Sequence, residues 1–256
     1  MASLRFVFLF FLFSFSASAQ RDYKLWLQYN VVSNSTTATE YKNTLKGIVL
    51  LGNSETIKIA GKELKTGFSD MLGNIPEIKL DIKGENNLIV GSESNLNTEI
   101  KNELQSDFGK INNEGFIIKS ISLKNKKQIV ITGKNDLAVL YGVFNFLRIL
   151  QTNKSVKNLN TADSPKTNIR ILNHWDNLDR TVERGYAGFS LWNWQKLPDF
   201  IDQRYIDYAR ANASIGINGT VLTNVNANAL ILTPQYLEKV EALANVFRPY
   251  GIKVYL

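Results

Sequence analysis

The sequence of 256 residues has no cysteine, one histidine, five prolines and two methionines. Without cysteine it can form neither a disulfide nor a thiolate metal site, and one histidine cannot make a histidine-based zinc site by itself. It also has no phosphate-binding loop, dinucleotide-binding fingerprint or nucleophile elbow. We therefore expect neither a cofactor nor a metal ion.

Residues 1–19 have the features of a secretory signal peptide. Arg5 gives a positive start, Phe6–Phe15 is almost entirely apolar, and Ala17 to Ala19 form a small-residue cleavage site. The apolar run is too short for a helix that spans a membrane. We therefore expect an exported protein, periplasmic or extracellular, with no membrane attachment after signal cleavage.

The positive charge of the chain is dispersed. The formal net charge is +7, and the densest basic group, Lys124, Lys126 and Lys127, surrounds a predicted turn. Nucleic-acid binding requires a basic stripe or patch, so we expect no nucleic-acid partner.

Residues 20–150 predict a small α/β, sandwich-like domain with helices on a mainly antiparallel sheet. A polar loop is expected at Ser33–Thr39, and Asp136 is the expected N-cap of the last helix. The predicted strands are Asp22–Val32, Glu77–Ile82, Asn87–Gly91, Gly115–Leu123 and Gln128–Gly133, and the predicted helices are Ala60–Met71, Leu96–Phe108 and Leu137–Leu150. The polar segment 151–167 is predicted to be a linker.

Residues 168–256 alternate strictly between strand and helix patterns. The predicted strands are Ile169–Leu172, Gly219–Leu222 and Ile252–Leu256, and the helices between them are Asp202–Ile215 and Tyr236–Phe247. This alternation predicts the first three strand–helix units of a (β/α)8 TIM barrel. The barrel is expected to be incomplete, because a full one needs about 250 residues.

The first predicted barrel strand is followed by polar and aromatic residues. The segment from Asn173 to Asn177 contains the single histidine, and three of the four tryptophans lie within 169–194. Active sites of such barrels lie at the carboxyl ends of the strands. Aromatic rings beside fixed polar groups suit a sugar, which has apolar faces and a rim of hydroxyls.

Three motifs, N-H-W-D-N-L-D (173–179), E-R-G-Y-A-G-F-S-L-W (183–192) and T-N-V-N-A (223–227), resemble those of the family-67 glycoside hydrolases, the α-glucuronidases. The resemblance covers nearly the whole mature chain. It implies inverting hydrolysis of the α-1,2 bond between glucuronic acid, or its 4-O-methyl form, and xylose in glucuronoxylan-derived oligosaccharides. The family's catalytic acid and base lie on later barrel strands. We therefore expect no catalytic residue before residue 256, and an inactive fragment.

The resemblance places Trp175 in the sugar pocket, where it would stack on the glucuronate ring. The other candidate ligands lie at the same mouth, and each has a structural alternative: His174, Asn177, Asn224, Val225 and Asn226. The side chain of Val225 would contact a 4-O-methyl group. Trp192 and Trp194 are expected in packing roles more than as sugar platforms.

The carboxylates of the first motifs are expected to have structural roles. We predict that Asp176, Asp179 and Glu183 anchor the loop, with Arg180 and Arg184 as charged partners.

Two other functions stay open on the sequence alone. The chain could be a non-catalytic carbohydrate-binding protein, or a hexosaminidase-like hydrolase, in which a similar small domain precedes a barrel. A second copy of the full-length protein is a further candidate partner.

Overall fold

The computed structural model describes residues 22–226 and 228–256. The predicted signal peptide, residues 1–19, lies outside this part of the chain, as does Ala227 of the third motif. Two β-sheets with helices around them form the fold, which confirms the α/β class.

The first sheet has six strands in the order β2-β1-β3-β5-β4-β6. The strands are β1 Gly47–Leu51, β2 Glu77–Lys79, β3 Asn87–Gly91, β4 Phe116–Leu123, β5 Lys126–Gly133 and β6 Asn160–Asp163. β1 runs parallel to β2 and β3, β3 runs parallel to β5, and β4 is antiparallel to β5 and β6. The prediction of a mainly antiparallel sheet is therefore wrong. A helix between β1 and β2 returns the chain to the same end of the sheet, which makes these strands parallel.

Helices cover both faces of this sheet. They are α1 Ser35–Thr44, α2 Glu55–Leu72, α3 Thr98–Phe108 and α4 Asp136–Gln151. α2 begins at Ser54, whose hydroxyl accepts from the Ile57 amide, and ends at Gly73 with φ of 70°. One apolar cluster lies under α2 and α4, and a second lies under α3 on the opposite face.

Two predictions about helix starts are wrong. Ser33–Thr39 is not a loop, because the Asn34 side chain accepts from the Thr37 amide and starts α1 there. The N-cap of α4 is Asn135 and not Asp136, since the Asn135 side chain accepts from the Ala138 amide. Short polar side chains favour helix starts as well as loops, so composition alone did not separate these cases.

The segment Asp22–Val32 is also not a strand. It forms a 3-10 helix, Asp22–Leu27, and then an irregular stretch in which Tyr29 has φ of 51°. Leu27, Tyr29 and Val32 are buried in the main apolar cluster. Leu27 and Tyr29 are two residues apart, as in a strand, but the segment pairs with no described strand, and the Val32 amide donates to the Met71 carbonyl of α2 at 3.0 Å.

The segment 151–167, predicted to be a linker, contains β6. This strand pairs with β4 over Phe116↔Asp163 to Lys119↔Asn160 and is the edge of the first sheet. Its residues are mostly exposed, which explains a composition that resembles a linker.

The second sheet consists of three parallel strands in the order β7-β8-β9, as predicted. They are β7 Ile171–Asn173, β8 Gly219–Val221 and β9 Lys253–Tyr255, and the helices α5 Gln203–Ser214 and α6 Pro234–Phe247 lie between them in the chain. Among the described residues no helix is both long and apolar enough to cross a membrane.

A buried ion pair joins the two parts of the fold. Glu63 on α2 is 5% exposed, and both of its oxygens accept from Arg210 on α5, at 2.8 Å from Nε and 2.6 Å from Nη2. The Tyr29 hydroxyl donates to the same carboxylate at 2.5 Å.

Candidate functional site

The carboxyl ends of β7 and β8 are tied together by main-chain hydrogen bonds. The His174 amide donates to the Val221 carbonyl at 3.1 Å, and the Asn224 amide donates to the Asp176 carbonyl at 2.9 Å. The residues that follow each strand therefore share one edge of the sheet, as the sequence predicted. In a strand–helix barrel this edge carries the ligand site.

His174 faces groups of the protein through both ring nitrogens. Its Nε2 lies 2.8 Å from the Tyr208 hydroxyl, which lies 2.9 Å from the Thr220 hydroxyl. Its Nδ1 lies 3.8 Å from Asp176 Oδ1. Burial lowers the pKa of His174 below its usual value, and the Asp176 charge opposes this shift. This geometry favours the structural alternative for His174 over direct contact with a sugar.

Asp176 holds the loop that follows β7. The side chain is 4% exposed, and its Oδ2 accepts from the Ser190 hydroxyl at 2.5 Å. The same hydroxyl accepts from the Trp192 amide at 3.0 Å. Asp176 thus connects the end of β7 to a segment about fourteen residues later, which is the anchoring role predicted for it.

The predicted arginine partners of these carboxylates are wrong. Asp179 accepts from the amide and hydroxyl of Thr181, at 2.9 and 2.7 Å, which closes a tight turn and lowers the pKa of Asp179. Within 22–226 and 228–256, neither Arg180 nor Arg184 forms an ion pair. A hydroxyl two residues away reaches the carboxylate without ordering a long arginine side chain.

Asn177 braces the same loop. Its side-chain amide donates to the Thr181 hydroxyl at 2.9 Å and to the Glu183 carbonyl at 2.7 Å. Asn224 closes a turn, since its Oδ1 accepts from the Asn226 amide at 2.9 Å. Asn177 and Asn224 therefore have local structural roles, while the Asn226 side chain is exposed.

The tryptophans of this region divide into buried and exposed side chains. Trp192 and Trp194 are 0% and 1% exposed and pack in the core, whereas Trp175 is 43% exposed. Val225, at the end of β8, is 70% exposed. Trp175 and Val225 are therefore the two predicted ligands with free apolar surface at this edge.

Sequence reasoning missed the hydroxyl groups behind the site. Tyr208 lies on α5, Thr220 lies on β8 and Ser190 lies in the loop, and each contacts His174 or Asp176 directly or through one neighbour. Only the fold brings them together, because Tyr208 follows His174 by 34 residues. Among the described residues, no group of three His, Asp or Glu side chains could hold a metal ion.

Comparison with known families identifies the chain. The model of the glycosyl hydrolase family 67 N-terminus matches residues 25–146, and that of the family 67 middle domain matches residues 149–256. The chain belongs to glycoside hydrolase family 67. The predicted membership and the glycoside hydrolase class are confirmed.

The curated relatives of this family 67 chain are much longer than it is. A probable alpha-glucuronidase A from Aspergillus terreus is 34% identical over 81% of this chain and 24% of its own length. Alpha-glucuronidase A from Emericella nidulans is 30% identical over 97% of this chain and 30% of its own length. The chain thus spans less than a third of these two relatives.

Solved structures of glycoside hydrolases share the fold. A family GH115 4-O-methyl-alpha-glucuronidase with specificity for decorated arabinogalactans has a TM-score of 0.55 at 14% identity, over 81% of this chain and 28% of that one. A GH138 enzyme targeting pectin rhamnogalacturonan II has a TM-score of 0.51 at 18% identity, over 80% and 24%. At these identities the likeness concerns the fold alone.

Proposed function

We propose that this chain supplies the first walls of the sugar-binding mouth of an α-glucuronidase. The substrate would be a xylan-derived oligosaccharide that carries glucuronic acid or its 4-O-methyl form. The observation that carries the proposal is that Trp175 is half-exposed and Val225 is exposed, both at the joined ends of β7 and β8. The names of the curated relatives, which are alpha-glucuronidases, support a substrate that carries glucuronic acid.

The chemistry of the two exposed side chains fits such a sugar. An indole ring can stack on the apolar face of a pyranose, and the methyl groups of Val225 can pack against a 4-O-methyl substituent. The exposed amide of Asn226 can exchange hydrogen bonds with a hydroxyl. Behind them, the contacts of His174 and Asp176 hold the strand ends in place.

Hydrolysis with inversion needs two carboxyl groups about 6.5–9.5 Å apart. One donates a proton to the leaving glycosidic oxygen, and the other takes a proton from the water that attacks the anomeric carbon from the opposite face. Asp176, the buried carboxylate at this mouth, already accepts from Ser190 and supports the loop. We infer that the acid and base come from other residues, so the 256-residue chain binds the sugar without cleaving it.

A pair of matched tryptophan variants tests the mouth. Trp175 and Trp26 are 43% and 49% exposed, but only Trp175 lies at the strand ends. We expect Trp175→Ala to weaken binding of aldotriouronic acid by about 3- to 10-fold in calorimetry, the loss of one stacking contact. Trp26→Ala should leave the affinity unchanged. Equal losses in both variants, or no binding by the unmodified chain, would refute the proposed mouth.

Activity assays on the same 256-residue protein distinguish the remaining alternatives. Release of glucuronate by the 256-residue chain would refute its proposed inactivity, while release of N-acetylhexosamine would favour the hexosaminidase-like function.

Export and self-association are two separate proposals. Export predicts a mature protein that begins at Gln20, as N-terminal sequencing of secreted material would show. Light scattering would measure the association state of a full-length relative.

A further inference from the structure

A cavity of about 440 Å³ lies at the opposite end of the second sheet from the proposed mouth. Arg170, which precedes β7, and Gly216, which precedes β8, are among its walls. The remaining walls come from one face of α4, the end of α5, the start of β4 with the loop before it, and the end of β6 with the segment that follows. The size of the cavity falls within the range of small-molecule sites.

The α4 wall carries the three polar residues that lie between the polar ends of this mostly apolar helix. Tyr141, Asn145 and Arg148 occupy positions i, i+4 and i+7, so they share one face and all line the cavity. Ten residues of α4 are buried, which makes a polar stripe on this helix conspicuous. Tyr141 is buried, Asn145 is half-buried and Arg148 is exposed, so the need for a hydrogen-bonding partner is greatest at Tyr141.

The Tyr141 hydroxyl is the clearest unsatisfied group. The side chain is only 6% exposed, and its oxygen has no hydrogen-bond partner among the described residues. Burial raises the pKa of Tyr141 to about 12, with Glu114 adding to the shift and Arg170 opposing it. The hydroxyl therefore stays protonated and can donate. A buried hydroxyl without a partner is costly, and a ligand that accepts its hydrogen bond removes that cost.

The charged groups of the cavity differ in how far they are already paired. Arg170 donates to the Gly216 and Thr167 carbonyls at 2.5 Å each and forms an ion pair with Glu114. Arg148 donates one hydrogen bond, at 3.1 Å to the Ser214 carbonyl, so other donors of its guanidinium remain free. The opposite charge of Asp163 also lines the cavity. Hydroxyl groups both donate and accept hydrogen bonds, so this balanced set of donors and acceptors suits them better than it suits an anion.

We propose that this cavity is a second carbohydrate site, which takes one neutral pyranose residue. The hydroxyls of the sugar would pair with Tyr141, Asn145 and Arg148, and its apolar face would lie on the ring of Phe116 or on Pro165. The chemistry of the cavity carries this proposal independently of the proposed activity at the mouth. A neutral probe without a uronate group therefore separates the two sites.

Xylotriose is the probe, titrated into the 256-residue protein by calorimetry and by saturation-transfer NMR. We expect binding that Tyr141→Phe and Asn145→Leu each weaken by about 3- to 10-fold, the loss of one hydrogen bond. Trp175→Ala should leave xylotriose binding unchanged. Because the Tyr141 hydroxyl has no partner in the free protein, Tyr141→Phe should not lower its melting temperature.

Three results would overturn the second site. One is the absence of xylotriose binding at millimolar concentration. Another is binding that Trp175→Ala abolishes while Tyr141→Phe and Asn145→Leu retain it, which would place the sugar at the mouth. The third is a lower melting temperature for Tyr141→Phe with unchanged affinity, which would show that the hydroxyl has a purely structural role.

Discussion

The buried ion pair between Glu63 and Arg210 allows a quantitative test of how the two parts of the fold are joined. The Glu63 side chain is 6% exposed and the Arg210 side chain is 20% exposed, so solvent screens them little. Burial alone would lower the pKa of Arg210, but the hydrogen bonds and charge of Glu63 outweigh it and raise that pKa. Arg210 is therefore held in its charged form, in contact with the Glu63 carboxylate.

Removing one partner leaves the other charge buried and unpaired. We expect Arg210→Met or Glu63→Leu alone to lower the free energy of unfolding by about 3–5 kcal/mol. For a chain of this size that corresponds to a melting temperature lower by about 6–20 °C. Replacing the whole group, in Tyr29→Phe/Glu63→Leu/Arg210→Met, should restore most of the loss, since apolar groups of similar volume leave no charge or hydroxyl unpaired.

Urea unfolding followed by tryptophan fluorescence measures these differences. The matched control is the pair Lys58–Glu55, which has the same 2.6 Å separation but side chains that are 62% and 69% exposed. Lys58→Met should change the free energy of unfolding by less than about 1 kcal/mol. If Arg210→Met were as mild as this control, or the triple variant as damaging as the singles, the reasoning about buried charge would be refuted.

Three further predictions concern protonation, the extent of the first sheet, and the second sheet in isolation. Since burial lowers the pKa of His174, the unfolded chain binds a proton first as pH falls, so stability should decline below about pH 6.5. Chemical unfolding between pH 8 and 5.5 should show a smaller decline in the free energy of unfolding for His174→Gln than for the unmodified protein. An equal decline in both would contradict this prediction. Residues 22–166, which include β6, should melt more cooperatively than residues 22–150, in which one edge of β4 is left unpaired. Residues 168–256 alone should aggregate, and a cooperatively melting monomer would disprove that.

The second sheet could be predicted because its signals are local and agree with one another. Pro234 starts α6, Gly251 follows it with φ of 74°, and the strands between the helices are short and β-branched. Each feature depends on a few adjacent residues, and the parallel order follows once helices alternate with strands. The same holds for α2, which lies between Ser54 and Gly73.

Two of the errors, at Asp22–Val32 and in the predicted linker 151–167, occur where partners distant in the sequence decide the structure. Tyr29 adopts φ of 51° and points its hydroxyl at Glu63, so a tertiary contact overrides the strand pattern around it. β6 is polar because it is an edge strand, and only its pairing with β4 distinguishes it from a linker. Secondary-structure propensity depends on local sequence and cannot reveal either contact, because both join segments more than thirty residues apart.

The candidate site shows the same division between local and distant information. The motif around Trp175 follows β7, at the strand ends where the sequence predicted it, but it could not say which side chains face outward. His174 and Asp176 flank the exposed Trp175 in the sequence. Their side chains already form hydrogen bonds with Tyr208 and Ser190, which lie later in the chain. A polar residue at a barrel mouth therefore has to be tested for protein partners before it is assigned to a ligand. By that criterion the sugar contacts proposed for the mouth reduce to Trp175, Val225 and Asn226, whose side chains are exposed, and the other three candidates support the loops around them.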